Sequence, residues 1–367
     1  MSAKRVLLVF GKMNRGGAET LAMNIFRCVD REKIVFDFLV HTSEKCDYDD
    51  EITALGGKIY HFPRYNGKNH FTYTKMWKQF LSEHPEYKVV HAHIYGPTSV
   101  FLPICRKFGV YTVAHSHTCS PENGLRQKIV DLYTVPVRNM ADYLFACSQN
   151  SGEWMFGKNV AKRNNYQVLK NGIIIDDFKF NQQYREQIRN EFSIEDKLVI
   201  VNVSRFHVQK NHDYLVRIFA KIKQLNNDAV LLLVGDGERR AEIQRTANEL
   251  GVGDSVIFAG VRSDVNKMLS AADVFVMTSF FEGLPVSLIE AQASGLPCVI
   301  SDTVSQEVAI TDLIKFCPLD AGVDTWAKAV LESVAPREDK TQQITLAGYD
   351  MKATAQFLQD FYLEKIN

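Results

Sequence analysis

Two glutamates in the second half of the chain have the type and spacing to bind a hydroxyl-rich ligand. Glu282 and Glu290 are separated by seven residues and follow an apolar run, 274–277, with strand character. Pro285 fits the first turn of a helix that contains Glu290, and Gly295 fits its C′ stop. The first turn of a helix binds phosphate, and carboxylates accept hydrogen bonds from sugar hydroxyls. The pattern therefore suits a nucleotide sugar.

The segment 282–291 also has a purely structural interpretation, in which it is an ordinary amphipathic strand–helix unit and Glu282 is exposed. Against it, the segment resembles the signature of retaining glycosyltransferases of the GT-B type, the "glycosyltransferase group 1" family. This resemblance implies that Glu290 holds the ribose hydroxyls and that Glu282 holds the transferred sugar. It further implies that Gly283, Leu284 and Pro285 line the donor site.

Two cations follow the first strand of the second half. Arg205 and Lys210 come just after a predicted strand and before a helix, a position that suits a diphosphate. Taken alone, the two residues fit ordinary surface charges equally well. The resembled family usually has glycines where Ser204 and Asn211 stand, but it shares the two cations. The resemblance therefore implies that Arg205 and Lys210 stabilise the departing diphosphate.

Three glycine-bearing loops follow other predicted strands. Gly16 and Gly17 come after the first strand without the spacing of a dinucleotide-binding loop or a P-loop, and a plain tight turn is the alternative. Gly235 and Gly237 end a later strand, where a turn again is the structural alternative. The resemblance implies that these loops, together with Arg262 one strand further on, line the donor site.

Four histidines end two neighbouring strands of the first half. His91 and His93 close one strand and His115 and His117 follow the next, so that the imidazoles share a strand face and one sheet edge. Zinc is an alternative, but neither Cys nor a carboxylate completes a cluster, and an ordinary hydrogen-bonded histidine is the commonest outcome. The resemblance implies that His115 reaches the donor sugar, with His117 as second choice. We place His91, His93 and His117 on the acceptor side. We predict no metal site.

Asp47 and Asp49 form an Asp-x-Asp, the metal motif of the other large class of glycosyltransferases. They lie within the acidic segment 44–51 and do not follow a series of nucleotide-binding strands. A run of like charges usually means a solvated segment, so we predict a solvated loop here. No cofactor is expected.

Length and composition indicate a globular protein of two domains. The chain has 367 residues, of which 46% are hydrophobic and 23% are charged. Seven cysteines without a CxxC pair suggest a reducing compartment. No apolar run is long enough for a signal peptide or a membrane span. We therefore expect a cytoplasmic protein with domains 1–175 (plus a helix, 350–367) and 176–349.

Strand-like and helix-like segments alternate in both halves, which is typical of parallel α/β sheets. Helices are predicted near 18–29, 72–83, 98–108 and 125–140 in the first half, a linker over 171–180, and a last helix over 351–366. The resemblance implies the GT-B fold, two Rossmann-like domains facing a cleft, with the last helix crossing back to the first domain.

The prediction is a retaining, metal-independent glycosyltransferase. The expected donor is a UDP-hexose or UDP-N-acetylhexosamine, and the expected acceptor is a polyprenyl-diphosphate-linked glycan in capsule, exopolysaccharide or lipopolysaccharide assembly. A nucleotide-sugar epimerase and a non-catalytic sugar-nucleotide-binding protein remain open. A periplasmic-type binding protein shares the two-lobed architecture, but no signal peptide is evident.

Charge is unevenly distributed although the net charge is zero. Residues 1–178 carry 23 Lys and Arg against 17 Asp and Glu, and the rest carries 20 against 26. The segment 64–70, with Lys75 and Lys78, mixes cations and aromatic residues, which suits the surface of an anionic bilayer. We predict peripheral membrane contact and no nucleic-acid partner; uneven charge without function is the alternative.

Overall fold

The protein forms two compact units. The structure is a computed structural model and describes residues 3–117, 136–282 and 284–366. One unit comprises Met1–Gly172 and Met351–Asn367, and the other comprises Ile173–Asp350. Each is built on one parallel sheet with helices between the strands, so the predicted α/β class of two Rossmann-like units is confirmed.

Unit 1 contains a seven-stranded parallel sheet in the order β3-β2-β1-β4-β5-β6-β7. Its central strands are buried on both faces, as parallel sheets covered by helices require, and every residue of β2 is buried, whereas the two edge strands are partly exposed. The strands are β1 (Lys4–Phe10), β2 (Ile34–Val40), β3 (Ile59–His61), β4 (Val89–Ala92), β5 (Tyr111–Ser116), β6 (Tyr143–Ala146) and β7 (Tyr166–Val168). The described helices are α1 (Gly17–Cys28), α2 (Asp49–Ala54), α3 (His70–Glu83), α4 (Thr98–Lys107), α5 (Val137–Met140) and α6 (Gln149–Phe156).

Unit 2 contains a six-stranded parallel sheet in the order β10-β9-β8-β11-β12-β13. The strands are β8 (Leu198–Val203), β9 (Ala229–Val234), β10 (Val256–Gly260), β11 (Val274–Met277), β12 (Cys298–Ser301) and β13 (Ile314–Cys317). The described helices are α7 (Ile175–Phe178), α8 (Gln182–Phe192), α9 (His212–Leu225), α10 (Arg240–Glu249), α11 (Val265–Ala271), α12 (Val286–Ala293), α13 (Gly322–Glu332) and α14 (Thr341–Leu346). Short 3₁₀ turns include Val208–Lys210 and Gln306–Val308.

Strand order reverses once in each sheet, and this reversal positions the candidate site. The reversal lies between β1 and β4 in unit 1 and between β8 and β11 in unit 2. Loops leaving neighbouring strands at such a point diverge to opposite faces, which opens a crevice beyond the carboxyl ends of the strands. In unit 2 the loops that meet there carry Lys210 and Glu282.

The last helix, α15 (Met351–Ile366), belongs to unit 1, as predicted. It packs against α1, and its Gln359 side-chain oxygen accepts a hydrogen bond from the backbone N–H of Asp30 at 2.8 Å. The Tyr362 ring meets Phe36 edge-on at 5.8 Å between centroids. The helix therefore closes the hydrophobic core of unit 1.

Two sequence predictions were only partly right, for physical reasons. The acidic segment is a loop up to position 48, where Glu44 and Asp47 are exposed, but Asp49 begins α2, where the helix dipole stabilises negative charge. Its carboxylate accepts a hydrogen bond from the Cys46 N–H at 2.8 Å, and Asp47 accepts one from the Arg15 N–H at 3.0 Å. The predicted linker 171–180 contains α7, whose Ile175 is buried. Most of the helix predicted over 125–140 lies outside the described residues.

Candidate active site

An ion pair at the strand reversal of unit 2 forms the centre of the candidate site. Lys210 ends the 3₁₀ turn after β8, and Glu282 lies in the loop after β11; the Lys210 Nζ and the Glu282 Oε1 are in direct contact. The side chains are only 19% and 10% exposed. A half-buried, charge-assisted hydrogen bond of this kind is stronger than a surface pair. The structure therefore joins two of the residues predicted to act on the donor.

Backbone contacts fasten the two loops that carry this pair. The Phe280 N–H donates to the carbonyl of Gln209 at 2.8 Å, and the Gln209 side-chain amide donates to the carbonyl of Phe281 at 2.8 Å. The Thr278 hydroxyl donates to the Asn211 carbonyl at 2.9 Å. These bonds hold Lys210 and Glu282 in register.

The position of Asn211 explains why it can replace a glycine. Its φ is +52°, in the left-handed region that glycine adopts freely and that asparagine tolerates better than most residues. The residue links the 3₁₀ turn to α9. The substitution therefore keeps the backbone course that places Lys210.

Arg205 lies on the same loop but is differently engaged. Its side chain is 72% exposed and contacts Glu238 at 3.2 Å. Exposed ion pairs contribute about 0–1 kcal/mol, so this contact holds the guanidinium weakly. Arg205 is therefore able to turn toward an anion without a large cost.

Gly235 and Gly237 are needed for backbone packing. A Cβ at Gly235 would lie 2.1 Å from the Ser204 carbonyl oxygen, and one at Gly237 would lie 2.4 Å from that of Phe206. The φ of Gly235 is +137°. The two glycines let the loop after β9 press against the loop that carries Arg205. They shape the candidate site by bringing these loops together.

Helix α12 begins and ends nearly as predicted. Pro285 is its N-cap residue in an extended conformation, one position earlier than the first-turn position expected. At the other end, Gly295 has φ +64° and its N–H donates to Gln292, while the Leu296 N–H donates to Ala291. This is the Schellman arrangement expected for a C′ glycine. Leu284 packs on the core of unit 2 before the helix, and Gly283 lies outside the described residues.

Glu290 is a partly buried carboxyl group on α12. Burial raises the pKa of Glu290 to about 7, because desolvation disfavours its charged form. A carboxylate that accepts hydrogen bonds from ribose hydroxyls must be ionised to do so with both oxygens. A ligand whose hydroxyl groups bound both oxygens of Glu290 would therefore require loss of a proton near neutral pH.

We expect the donor to bind more tightly as pH rises. Because protonated Glu290 predominates below its pKa, the Kd of the nucleotide should increase about tenfold between pH 8 and pH 6. Calorimetric titration with a UDP-sugar, whose phosphates do not titrate across this range, measures the change. In a Glu290→Gln variant the slope should vanish, whereas an unchanged slope would show that another group titrates.

Arg262 and the first glycine loop stand apart from this arrangement. Both edges of the Arg262 guanidinium carry ion pairs, to Asp264 and to Glu191, each with a contact of 2.8 Å. A donor phosphate would have to compete with two carboxylates there.

The first glycine loop lies in unit 1. Gly16 caps α1, and a Cβ at Gly17 would meet nothing within 4 Å. Gly17 thus leaves open space at the end of β1.

Sequence reasoning missed a polar network beneath the Arg205 loop. The Ser204 hydroxyl donates to Asn202 at 2.6 Å and also contacts the Nε2 of His212 at 3.1 Å, and the Asn202 amide donates to the Val276 carbonyl at 2.7 Å. Burial lowers the pKa of His212 to about 4. A neutral His212 therefore supports the loop through its contact with the Ser204 hydroxyl. Its position two residues after Lys210 was the available signal.

The four predicted histidines of unit 1 do converge. We refer to His91, His93, His115 and His117 as the histidine cluster. Their ring centroids lie 4.0–5.4 Å apart for the pairs in contact. Five of their ring nitrogens are buried without a hydrogen-bond partner among the described residues. An unsatisfied buried polar group costs about 1–3 kcal/mol, so the cluster calls for a ligand or water.

Comparison with known proteins places these features in a family. Two family models match the chain, Glycosyl transferases group 1 over residues 184–344 and Glycosyltransferase Family 4 over residues 15–177. Glycosyltransferase EpsF of Bacillus subtilis is 36% identical over 372 residues, which cover 98% of this chain and 97% of that protein.

Two further matches concern defined ligands and substrates. UDP-Gal:alpha-D-GlcNAc-diphosphoundecaprenol alpha-1,3-galactosyltransferase of Escherichia coli is 26% identical over 215 residues, 54% of each chain. Anabaena Alr3699/HepE, solved in complex with UDP, superposes with a TM-score of 0.73 at 18% identity over 96% of this chain and 95% of that one. The same protein with UDP-glucose gives 0.70 at 18% identity, covering 96% and 94%.

Two Rossmann-like units, with paired carboxylates and cations at the strand reversal of the second, define a glycosyltransferase of the GT-B fold. This chain belongs to the group 1 glycosyltransferase family, as the match to EpsF along nearly its whole length demonstrates. The family and fold predicted from the sequence are confirmed.

Proposed function

We propose that this enzyme is a retaining glycosyltransferase that takes a hexosyl unit from a UDP-sugar bound on unit 2. The observation that carries the proposal is the largely buried Lys210–Glu282 pair at the strand reversal, which holds a cation able to bind phosphate against a carboxylate able to bind sugar hydroxyls. Glu290 would accept hydrogen bonds from the ribose, and Glu282 from the transferred sugar. The assignments of His115 to the donor sugar, and of His91, His93 and His117 to the acceptor side, stay predictions from the family resemblance.

The proposed step uses the departing diphosphate as the base. The bond from the anomeric carbon to the diphosphate oxygen breaks, and the acceptor oxygen bonds to the same face of that carbon. The acceptor proton passes to a phosphate oxygen, and UDP leaves. Arg205, Lys210 and the first turn of α12 would stabilise the negative charge that develops on the leaving group. Retention of configuration follows because attack and departure share one face.

Named relatives support the substrate classes. The galactosyltransferase of Escherichia coli acts, by its name, on a UDP-sugar and a diphosphoundecaprenol-linked sugar, and HepE was solved with UDP and UDP-glucose. We extend these classes to this chain as a UDP-hexose or UDP-N-acetylhexosamine donor and a polyprenyl-diphosphate-linked acceptor. Assembly of a capsule, exopolysaccharide or lipopolysaccharide in the cytoplasm is the proposed setting.

The first test is a binding screen followed by product analysis. UDP-, GDP- and ADP-sugars are compared for the rise they cause in thermal midpoint, since a ligand at 100 times its Kd adds about 2.7 kcal/mol. The stabilising sugar is then incubated with and without lipid-linked acceptor. Transfer with an unchanged anomeric configuration supports the proposal. Isomerised nucleotide sugar without acceptor indicates an epimerase, and binding without turnover indicates a sensor.

We expect the transfer step to need no added metal. In the proposed step Lys210 and Arg205 would neutralise the diphosphate in place of a divalent ion, so brief EDTA treatment should leave the rate of UDP release unchanged. Added Mg²⁺ or Mn²⁺ should not raise it. Loss of activity that either ion restores would contradict these roles of the two cations.

An exposed basic stripe on α3 supports the proposed contact with a membrane. Phe71 is 88% exposed and shares one helix face with Lys75 and Lys78, while Tyr73 and Trp77 bury the opposite face. Arg64 and Lys68 extend the exposed cations beyond the helix start, and none of these four cations has an ion pair among the described residues. Among the residues that the structure describes, no helix is long and apolar enough to cross a bilayer.

We predict reversible binding to anionic vesicles at low salt. Each cation near such a surface contributes about 1 kcal/mol, and Phe71 offers apolar area for the interface. Co-sedimentation compares wild type with a Lys68/Lys75/Lys78→Glu variant and a Phe71→Ala variant. A Lys107/Lys158/Lys162→Glu variant gives the same charge change on exposed residues elsewhere in unit 1. If both triple variants lost vesicle binding equally, the binding would depend on net charge alone and not on the stripe on α3.

A further inference from the structure

We infer that the histidine cluster binds one divalent transition-metal ion, with the Nε2 atoms of His91 and His93 and a ring nitrogen of His115 as ligands. One nitrogen from each of these three rings lies within 4.8 Å of the others. Zn–N bonds are about 2.0–2.1 Å, so ligand nitrogens around a tetrahedral ion stand about 3.3 Å apart. Because the His91 and His115 rings are stacked, with their planes 8° apart, the rings would have to turn to bring the three nitrogens onto one ion.

The outer contacts of two rings orient them as in known metal sites. The Nδ1 of His91 is bonded to the Tyr362 hydroxyl at 2.5 Å, and the Nδ1 of His93 is bonded to the Nε2 of His117 at 2.7 Å. Metal-ligating histidines characteristically engage their other ring nitrogen in this way, which fixes tautomer and direction. Both Nε2 atoms are left buried without a partner among the described residues, as ligands would be.

Ring packing holds the cluster in a preformed shape. His91 and His93 are on β4, and the Phe10 ring stacks on His93 at 4.4 Å between centroids. Phe145 lies 5.8 Å from both His91 and His115. These aromatic walls keep the three imidazoles together, so only the rings themselves have to turn toward an ion.

The chemistry of the donors selects the class of ion. Three imidazoles without a carboxylate suit Zn²⁺, Cu²⁺ or Ni²⁺, whereas Mg²⁺ and Ca²⁺ require oxygen ligands. A fourth coordination position remains for water or a substrate oxygen.

This inference does not depend on the proposed transferase activity. Both ring nitrogens of His115 lack partners among the described residues, so one can bind the ion while the other remains available to a substrate. Metal content and affinity are the readouts. A failure of the transferase proposal therefore leaves the metal site standing, and the reverse also holds.

The test measures metal in the full-length chain. The protein is stripped with dipicolinate, reloaded with Zn²⁺ and analysed by mass spectrometry for bound metal. We expect about one ion per chain, a rise in thermal midpoint on loading, and tetrahedral absorption bands after Co²⁺ substitution. A chain that binds no Zn²⁺, or whose thermal midpoint does not respond to it, overturns the inference and leaves water as the occupant.

Variants locate the ion within the chain. A His91→Ala/His93→Ala variant should lose the bound ion, whereas His61→Ala, which removes an exposed histidine of unit 1, should retain it. Tyr362→Phe keeps the ring and removes the bond to His91, and competition with a chelator should show about 10–100-fold weaker binding. If the double variant fails to fold, Tyr362→Phe still decides. Unchanged affinity in Tyr362→Phe, or loss of the ion in His61→Ala, contradicts the assignment.

Discussion

Replacing Lys210 by alanine is expected to lower turnover about 10²–10³-fold, the usual effect of removing one preorganised group that stabilises transition-state charge. Arg205→Ala should act in the same direction. The effect of Lys210 should be the larger, because Lys210 is already fixed against Glu282 whereas Arg205 is exposed and must be ordered by the donor. Release of UDP from the nucleotide sugar with saturating acceptor measures the change.

Two controls separate chemistry from folding in this experiment. Lys197→Ala removes an exposed cation paired with Asp228 at the opposite, amino-terminal edge of the sheet, and its turnover should be normal. Lys210→Ala also leaves Glu282 without its ion-pair partner, so thermal midpoints must be compared with the rates. Near-normal turnover in both Lys210→Ala and Arg205→Ala would remove the leaving-group assignment.

Gly235→Ala is expected to destabilise unit 2 by about 2–5 kcal/mol, combining backbone strain with overpacking. The added Cβ would lie 2.1 Å from the backbone oxygen of Ser204, which cannot rotate away, and φ is +137°. The loops after β8 and β9 would have to separate. Donor affinity should fall as well, since the displaced loop carries Arg205.

A second glycine isolates the contribution of the clash. Gly251 also has a positive φ, +70°, but a Cβ there would meet nothing within 4 Å. Gly251→Ala should therefore cost only about 1–2 kcal/mol, from conformation alone. Urea unfolding of both variants measures the difference. Equal destabilisation would show that the close approach of the two loops does not matter for stability.

The sequence determined the local elements and the chemical types at the site. The strand run 274–277 was predicted at its observed bounds, because a continuous apolar run that ends at a turn signal depends only on neighbouring residues. The sequence analysis missed helix α8, because this helix is largely polar and its local signal is weak. It is held by an Asn181 cap and by the buried Arg189, which pairs with the distant Asp273.

The tertiary structure decided which residues meet. Lys210 and Glu282 are separated by 72 positions and meet because strand order reverses between β8 and β11, a long-range property of the sheet. A long-range contact also engages Arg262, which pairs with Glu191, 71 positions away, as well as with its sequence neighbour Asp264. In unit 1, strand alternation predicted a shared edge for the histidines. The hydroxyl that orients His91 comes from Tyr362, 271 positions away, because α15 packs back onto the first sheet, and no local pattern encodes that contact.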